Sequence, residues 1–324
     1  MARVAVIERT GGPEVIQWVE RDLPPPGVGE VRVRHEAVGL NFIDTYQRGG
    51  LYPVALPSGL GSEAAGVVEA VGEGVDELGV GDRVATFGPA LGAYATERNV
   101  AAASLFELPE GVSSEIAAAS MLKGCTVEFL VERCARVQPR MTVLLHSAAG
   151  GVGQIAVQWL KAIGATVIGT VGSADKAARA LALGADHVIE YKNEDIAERV
   201  KAITGGAGAD VVLDGVGAST WDTSLKSTAR RGLIVSFGNA SGPVEGVKLT
   251  TLNQHGALFV TRPSLFNYYV TAEERTAGVA RVFEMIESGA VKVEIGQRFA
   301  LEDAAEAHRA IGAGQTLGST ILIP

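Results

Sequence analysis

The chain has 324 residues, 41 of them glycine, 2 cysteine and 5 histidine, with 47% hydrophobic and 20% charged residues. That balance describes a packed globular protein of about two domains, and the absence of a triplet repeat excludes collagen. A net charge of −9 disfavours nucleic acid or an anionic membrane as the main partner. Cys125 and Cys134 lie too close to staple a disulfide framework, and reduced thiols with a start lacking an apolar leader imply the cytoplasm.

The first 120 or so residues read as short strands between Gly/Pro turns: Arg3 to Ile7, Val15 to Val19, Glu30 to Val38, Ala64 to Val71, Arg83 to Phe87 and Ala93 to Arg98. Val31 and Val33 alternate with Arg32 and Arg34, the period of a half-exposed strand. Gly39, Gly49 and Gly50 place the stretch with Asn41, Tyr46 and Tyr52 on a loop. From about Met121 strands alternate with helices. Thr142 to His146 is a buried strand, and Val152, Ile155, Ala156, Trp159, Leu160 and Ile163 line one face of a helix that stops at Gly164. This strand, turn and helix also account for the uncharged run Met141 to Leu160, which has membrane length.

Further strands are expected at Ala165 to Val171, His187 to Tyr191, Val211 to Asp214, Leu233 to Phe237 and Leu258 to Thr261. Helices are expected at Lys176 to Leu183, Glu194 to Ile203 and Thr220 to Thr228. Six strands interleaved with helices predict an α/β fold, a Rossmann doubly wound parallel sheet whose ligand crevice lies at the strands' carboxyl ends. After Pro263 come a helix at Glu273 to Ser288, a strand near Val293, a segment Glu302 to Ile311 and a strand at Thr320 to Ile323. This tail is expected to pack on the first domain, giving 1–122 and 263–324 as one domain and 123–262 as the other.

Between strand and helix stands Ala148-Ala149-Gly150-Gly151-Val152-Gly153, a dinucleotide turn with Ala148 in place of the first glycine. Gly150 lets the backbone approach a pyrophosphate, Gly153 lets the helix pack on its strand, and the helix N-terminus supplies N–H groups. An acidic residue at the end of the next strand would hold the ribose of NAD; here stand Gly172 and Ser173, with Lys176 in reach of a 2′-phosphate. That favours NADPH, with Tyr191 closing the pocket. The alternative, a solvated Lys176 at a helix start capped by Asp175, stays open.

Gly59-Leu60-Gly61-Ser62-Glu63-Ala64-Ala65-Gly66-Val67-Val68, Val80-Gly81-Asp82-Arg83-Val84 and Ala149-Gly150-Gly151-Val152-Gly153 resemble hallmarks of the medium-chain dehydrogenase/reductase superfamily. With Asn41-Phe42-Ile43-Asp44-Thr45-Tyr46, Leu51-Tyr52-Pro53 and Ser236-Phe237-Gly238-Asn239, the whole chain resembles the zeta-crystallin-like quinone oxidoreductases, the bacterial members above all. The resemblance implies a GroES-like irregular β domain beside the Rossmann domain, NADPH as cofactor, and a homodimer joined through the sixth strand, near Leu258 to Thr261. It also implies that Asn41 and Tyr46 contact the cofactor and, with Tyr52 and Arg262, the substrate cleft. Thr126, Ala149, Gly150, Gly151, Val152, Gly172, Ser173, Lys176, Tyr191, Phe237, Gly238 and Val260 are implied as the remaining cofactor contacts. One departure is Gly312-Ala313-Gly314-Gln315, where relatives often carry a basic residue for the 2′-phosphate.

Zinc alcohol dehydrogenases of the superfamily bind catalytic zinc through an early Cys, a Gly-His-Glu motif and a further ligand. Here Asn41 stands near the Cys position and Ser62 replaces the His, and no histidine pair has ligand spacing. No metal is expected, which disfavours alcohol oxidation and fits reduction of an electron-poor acceptor such as a quinone. Two alternatives remain: an NADPH-dependent reductase of α,β-unsaturated carbonyls, and an NADPH-gated RNA-binding or crystallin-like structural protein. Net charge and the lack of an Arg-aromatic ribonucleoprotein motif weigh against RNA.

Overall fold

The computed structural model describes all 324 residues, which divide into two compact units. One comprises Met1–Cys125, Thr271–Glu287 and Val293–Pro324; the other comprises Thr126–Val270 and Ser288–Lys292.

The first unit is a mostly antiparallel β structure. Strand Glu30–Leu40 is its spine, pairing with Glu63–Val71, Glu97–Ala101 and the C-terminal strand Ser319–Ile323. Val31 and Val33 point into a valine-rich core with Val68, Val84 and Val100, while Arg34 reaches outward to Glu69 at 2.8 Å. From Ala37 to Leu40 the strand is buried throughout, covered by a second core of Ile7, Leu60, Tyr94, Leu301, Ala307 and Ile311. Helix Ala304–Gly312 adds Ala304, Ala307, His308 and Ile311 to this core, the three-and-four spacing of one helical face.

The pairing strand lies at Glu97–Ala101, a few residues beyond the expected Ala93 to Arg98, because Tyr94 is drawn into the core and its backbone bonds Leu60 and Ala5. The strand expected near Val293 is Ile295–Ala300, and Val15 belongs to a short 3₁₀ turn ahead of strand Gln17–Arg21. The expected loop around Asn41 is instead helix Phe42–Gly49. Asn41 is its N-cap residue, Asp44 accepts from the Asn41 N–H at 2.8 Å, and Gly50 ends it in the left-handed conformation at φ 87°. Helix Ser114–Glu128 had no counterpart in the sequence reading. Ala117, Ala118, Ala119, Met121, Cys125 and Val127 are all buried, leaving no one-sided apolar stripe to detect.

The second unit holds a six-stranded all-parallel sheet in the spatial order His187–Glu190, Thr166–Val171, Thr142–Leu145, Ala209–Asp214, Thr228–Ser236, Phe259–Thr261. Its central strands are apolar on both faces, as a sheet covered by helices requires. The order reverses at Thr142–Leu145, the first strand, so the topological switch point lies beside the glycine turn that follows it.

Candidate functional site: a glycine turn and a buried carboxylate network

In the Rossmann unit the turn after Leu145 is held tightly. Ser147 takes a left-handed φ of 59°, and its carbonyl accepts from Gly150 N–H at 3.0 Å. Helix Gly151–Ile163 follows, with Gly150 as its extended N-cap and no intrahelical acceptor for its first N–H groups. The glycines divide by role. A Cβ at Gly153 would lie 2.2 Å from the Ser147 carbonyl oxygen, so the fold itself demands glycine there. A Cβ at Gly150 would meet nothing closer than 3.4 Å, so the space before it is open. Ala148 fits in place of the first glycine because its methyl packs against Gly169, where a Cβ would come within 2.6 Å of it.

At the end of strand Thr166–Val171 the Tyr191 hydroxyl lies over Gly172, 2.6 Å from where a Cβ would stand. Ser173, not Asp175, is the N-cap residue of helix Ala174–Ala182, yet its side chain makes no capping bond. Partial burial, with the charge of Lys192 next to it, lowers the Lys176 ammonium pKa. Lys192 is the cation the sequence reading missed; its position beside Tyr191 was the available signal. Two ammonium groups that repel each other, beside a hydroxyl that makes no capping bond to its own helix, have the chemistry to bind a dianion.

Further along the sheet, Arg262 donates to the carbonyls of Ser236 and Gly238, each at 2.9 Å, and so holds the loop carrying Phe237. A Cβ at Gly238 would lie 2.1 Å from the Gly215 carbonyl oxygen, and one at Gly215 would lie 2.8 Å from the Phe237 ring. The buried Asp214 carboxylate binds the N–H groups of Val216 and Gly217 at 2.9 and 3.0 Å and fixes the facing loop. Val260 lies on the edge strand, and Thr126 is half-buried on helix Ser114–Glu128.

In the β unit Asn41 joins two buried carboxyl groups, Glu63 and Asp44, whereas Tyr46 and Tyr52 pack on each other. The Asn41 amide donates to Glu63 Oε2 at 2.8 Å, and Lys123 Nζ approaches the same oxygen at 3.3 Å. Leu122 N–H donates to Glu63 Oε1 at 2.7 Å. Gly39 makes room, since a Cβ there would lie 2.2 Å from Glu63 Oε2. Glu63 and Lys123 are both buried, so each depends on the other for charge compensation. Beside them Asp44 accepts from Tyr94 at 3.2 Å, and Ser62 lies 3.5 Å away. Burial raises the Asp44 pKa to about 7. Tyr46 and Tyr52 pack edge to face at 5.2 Å, joined by a Tyr52 N–H bond to the Tyr46 carbonyl.

These residues do not fit a zinc site. Asn41 and Ser62 are poor zinc donors, Glu63 is committed to Lys123, Asn41 and Leu122, and no three His, Cys, Asp or Glu side chains converge anywhere in the chain. His35, His146 and His308 are buried, and His146 is bonded to Thr170 and Ser224.

Residues 27–110 match the family described as the alcohol dehydrogenase GroES-like domain, and 151–287 the zinc-binding dehydrogenase family. The chain is 53% identical to a quinone oxidoreductase of Salmonella typhimurium over 100% of both chains. It is 41% identical to a 2-haloacrylate reductase of a Burkholderia species, covering 100% of this chain and 99% of that protein. Among solved structures, Escherichia coli quinone oxidoreductase complexed with NADPH superposes with a TM-score of 0.97 at 50% identity, covering 100% of both chains. No helix is long and apolar enough to cross a membrane. Two matched domains and full-length identity on this scale lead to one conclusion: the chain belongs to the quinone oxidoreductase family of the medium-chain dehydrogenase/reductase superfamily.

Proposed function

We propose that this chain is a zinc-independent NADPH:quinone oxidoreductase. The observation that carries the reading is full-length identity of 50–53% to curated bacterial quinone oxidoreductases, in a chain whose zinc-ligand positions hold Asn41 and Ser62. When bound, NADPH supplies electrons as a hydride equivalent. The open space at Gly150 fits the pyrophosphate, with Ala149, Gly150, Gly151 and Val152 presenting the helix N-terminus to it. Gly172, Ser173, Lys176 and Tyr191, joined by Lys192, hold the 2′-phosphate end. Thr126, Phe237, Gly238 and Val260 contribute further cofactor contacts, and Arg262 serves by pinning the Phe237 loop. Asn41, Tyr46 and Tyr52 orient the acceptor, with Glu63 and Lys123 fixing which way the Asn41 amide faces.

The protein acts in the cytoplasm as a homodimer. Strand Phe259–Thr261 is the sheet edge, and Phe259 and Val260 are 63% and 38% exposed, an apolar edge suited to pairing with its copy. The experiment that tests the function is a parallel measurement of kcat/KM for a small quinone and for an α,β-unsaturated carbonyl, each with NADPH. A higher value for the quinone is expected. The likeness to 2-haloacrylate reductase favours an activated-alkene reductase as the second reading, and a higher value for the alkene would establish it in place of the first.

A further inference from the structure

Within the Rossmann unit, four buried side chains form one hydrogen-bonded line across the carboxyl ends of three parallel strands. Thr170, His146 and Asp214 stand at or just past the ends of strands Thr166–Val171, Thr142–Leu145 and Ala209–Asp214, and Ser224 meets them from helix Trp221–Ser227. The protons in this line have a single arrangement. A carboxylate only accepts, so the Ser224 hydroxyl donates to Asp214 Oδ2 at 2.7 Å and turns a lone pair to His146 Nε2 at 3.1 Å. Burial outweighs the pull of the Asp214 charge and lowers the His146 pKa, so the ring is neutral and carries one proton. That proton sits on Nε2, and Nδ1 accepts from the Thr170 hydroxyl at 3.0 Å. Every donor from Thr170 onward therefore points toward the Asp214 carboxylate.

The line ends on a loop that seats another. Asp214 Oδ1 takes the N–H groups of Val216 and Gly217, while the Phe237 N–H donates to the Asp214 carbonyl and the Ser241 N–H to the Val216 carbonyl, each at 2.8 Å. A Cβ at Gly217, where φ is 93°, would lie 2.4 Å from the Gly242 carbonyl oxygen, so the two loops touch without slack. A dinucleotide lies across the switch point of such a sheet, one half to each side. Gly172, Lys176 and Tyr191 lie beyond strand Thr166–Val171 on one side, which leaves the loops after Asp214 and Ser236, on the other side, to the nicotinamide half. Resting on the reading that NADPH binds this unit with Phe237 and Gly238 among its contacts, we propose that His146 is a positioning residue for the nicotinamide half of the cofactor. It commits the Ser224 proton to Asp214, Asp214 holds Val216 and Gly217, and these hold Phe237 and Gly238. His146 acts entirely through this line.

The test is calorimetric titration of wild type, His146→Leu, His146→Gln and Ser224→Ala with NADPH and with 2′,5′-ADP, which carries only the adenosine half and its 2′-phosphate. His146→Leu and Ser224→Ala are expected to weaken NADPH on the order of tenfold and to leave 2′,5′-ADP at the wild-type affinity. Glutamine, which returns an N–H near the Nε2 position, restores most of the NADPH affinity. A histidine that only stabilises the fold would lower the melting temperature with both affinities kept, or weaken both ligands alike. Nitrogen NMR of the wild-type protein should show His146 protonated on Nε2 and bare on Nδ1. Wild-type NADPH affinity in His146→Leu, equal losses for the two ligands, or a proton on Nδ1 overturns the positioning role. Should His146→Leu not fold, Ser224→Ala decides alone, because it leaves the Thr170 to His146 bond in place. Phe237→Ala separates this role from the reading beneath it. If Phe237→Ala binds NADPH as wild type does, the loop is not at the cofactor and that reading falls, taking the role with it; if it weakens NADPH while His146→Leu does not, only the role falls.

Discussion

Gly150 and Gly153 sit in the same turn, yet alanine should harm them differently. At Gly153 the new Cβ would lie 2.2 Å from the Ser147 carbonyl oxygen and 2.7 Å from the Ala148 carbonyl carbon, both backbone atoms, so helix and turn must move apart. Overpacking of this kind costs about 1–3 kcal/mol. In a unit of this size, that corresponds to a melting temperature lower by roughly 2–4 °C for each kcal/mol. At Gly150 the Cβ has 3.4 Å of clearance and φ is −82°, which alanine adopts freely. The loss of a preferred N-cap residue, about 0.5–1 kcal/mol, is offset by a similar gain from stiffening the unfolded chain. Gly150→Ala should therefore melt with wild type while binding NADPH at least about tenfold more weakly, some 1.4 kcal/mol, because its methyl occupies the pyrophosphate's approach. Differential scanning fluorimetry and NADPH fluorescence titration read the two effects. Unchanged NADPH affinity in Gly150→Ala, or an unchanged melting temperature in Gly153→Ala, would refute the division of roles.

Lys176→Ala and Lys192→Ala should each reduce the NADPH-to-NADH affinity ratio on the order of tenfold, the worth of one charge-assisted hydrogen bond, leaving NADH affinity unchanged by titration. Glu63→Gln strands the buried Lys123 ammonium and should cost about 3–5 kcal/mol in urea unfolding, much of it recovered in Glu63→Gln/Lys123→Met. Asp44, raised from 3.8 to about 7, contributes stability that is complete below the lower value and lost as pH rises through the higher one. Asp44→Asn should therefore gain more in melting temperature over wild type at about pH 8 than at about pH 5. His308, lowered from 6.5 to about 3, works in the opposite sense, its contribution being lost as pH falls between those values. For the proposed pairing through strand Phe259–Thr261, Phe259→Asp should sediment as a monomer where wild type sediments as a dimer, and a monomeric wild type would contradict the pairing.

The alternating strands and helices, the glycine turn and the loss of zinc ligands could all be read from the sequence, because each is written in local residue order. The Asn41 helix was hidden by its flanking glycines: Gly49 and Gly50 looked like loop residues, whereas Gly50 is the stop signal of a helix that Asn41 begins. Helix Ser114–Glu128 was hidden because it is apolar on every side. The network around Glu63 and Asp44 was illegible for a different reason. Glu63 meets Lys123 across 60 positions, and Tyr94 meets His308 across 214, so only the folded sheet brings these side chains together. His308, which has no partner at ligand spacing in the sequence, meets the Tyr94 hydroxyl that donates to Asp44.

The proposed function turns on zinc independence, with Asn41 and Ser62 at the zinc-ligand positions and Glu63 committed to Lys123. It is tested most directly by NADPH-dependent benzoquinone reduction before and after exhaustive treatment with 1,10-phenanthroline, with metal content measured in both samples. The account predicts equal rates and no stimulation by added zinc. Activity lost with the chelator and restored stoichiometrically by zinc would contradict it.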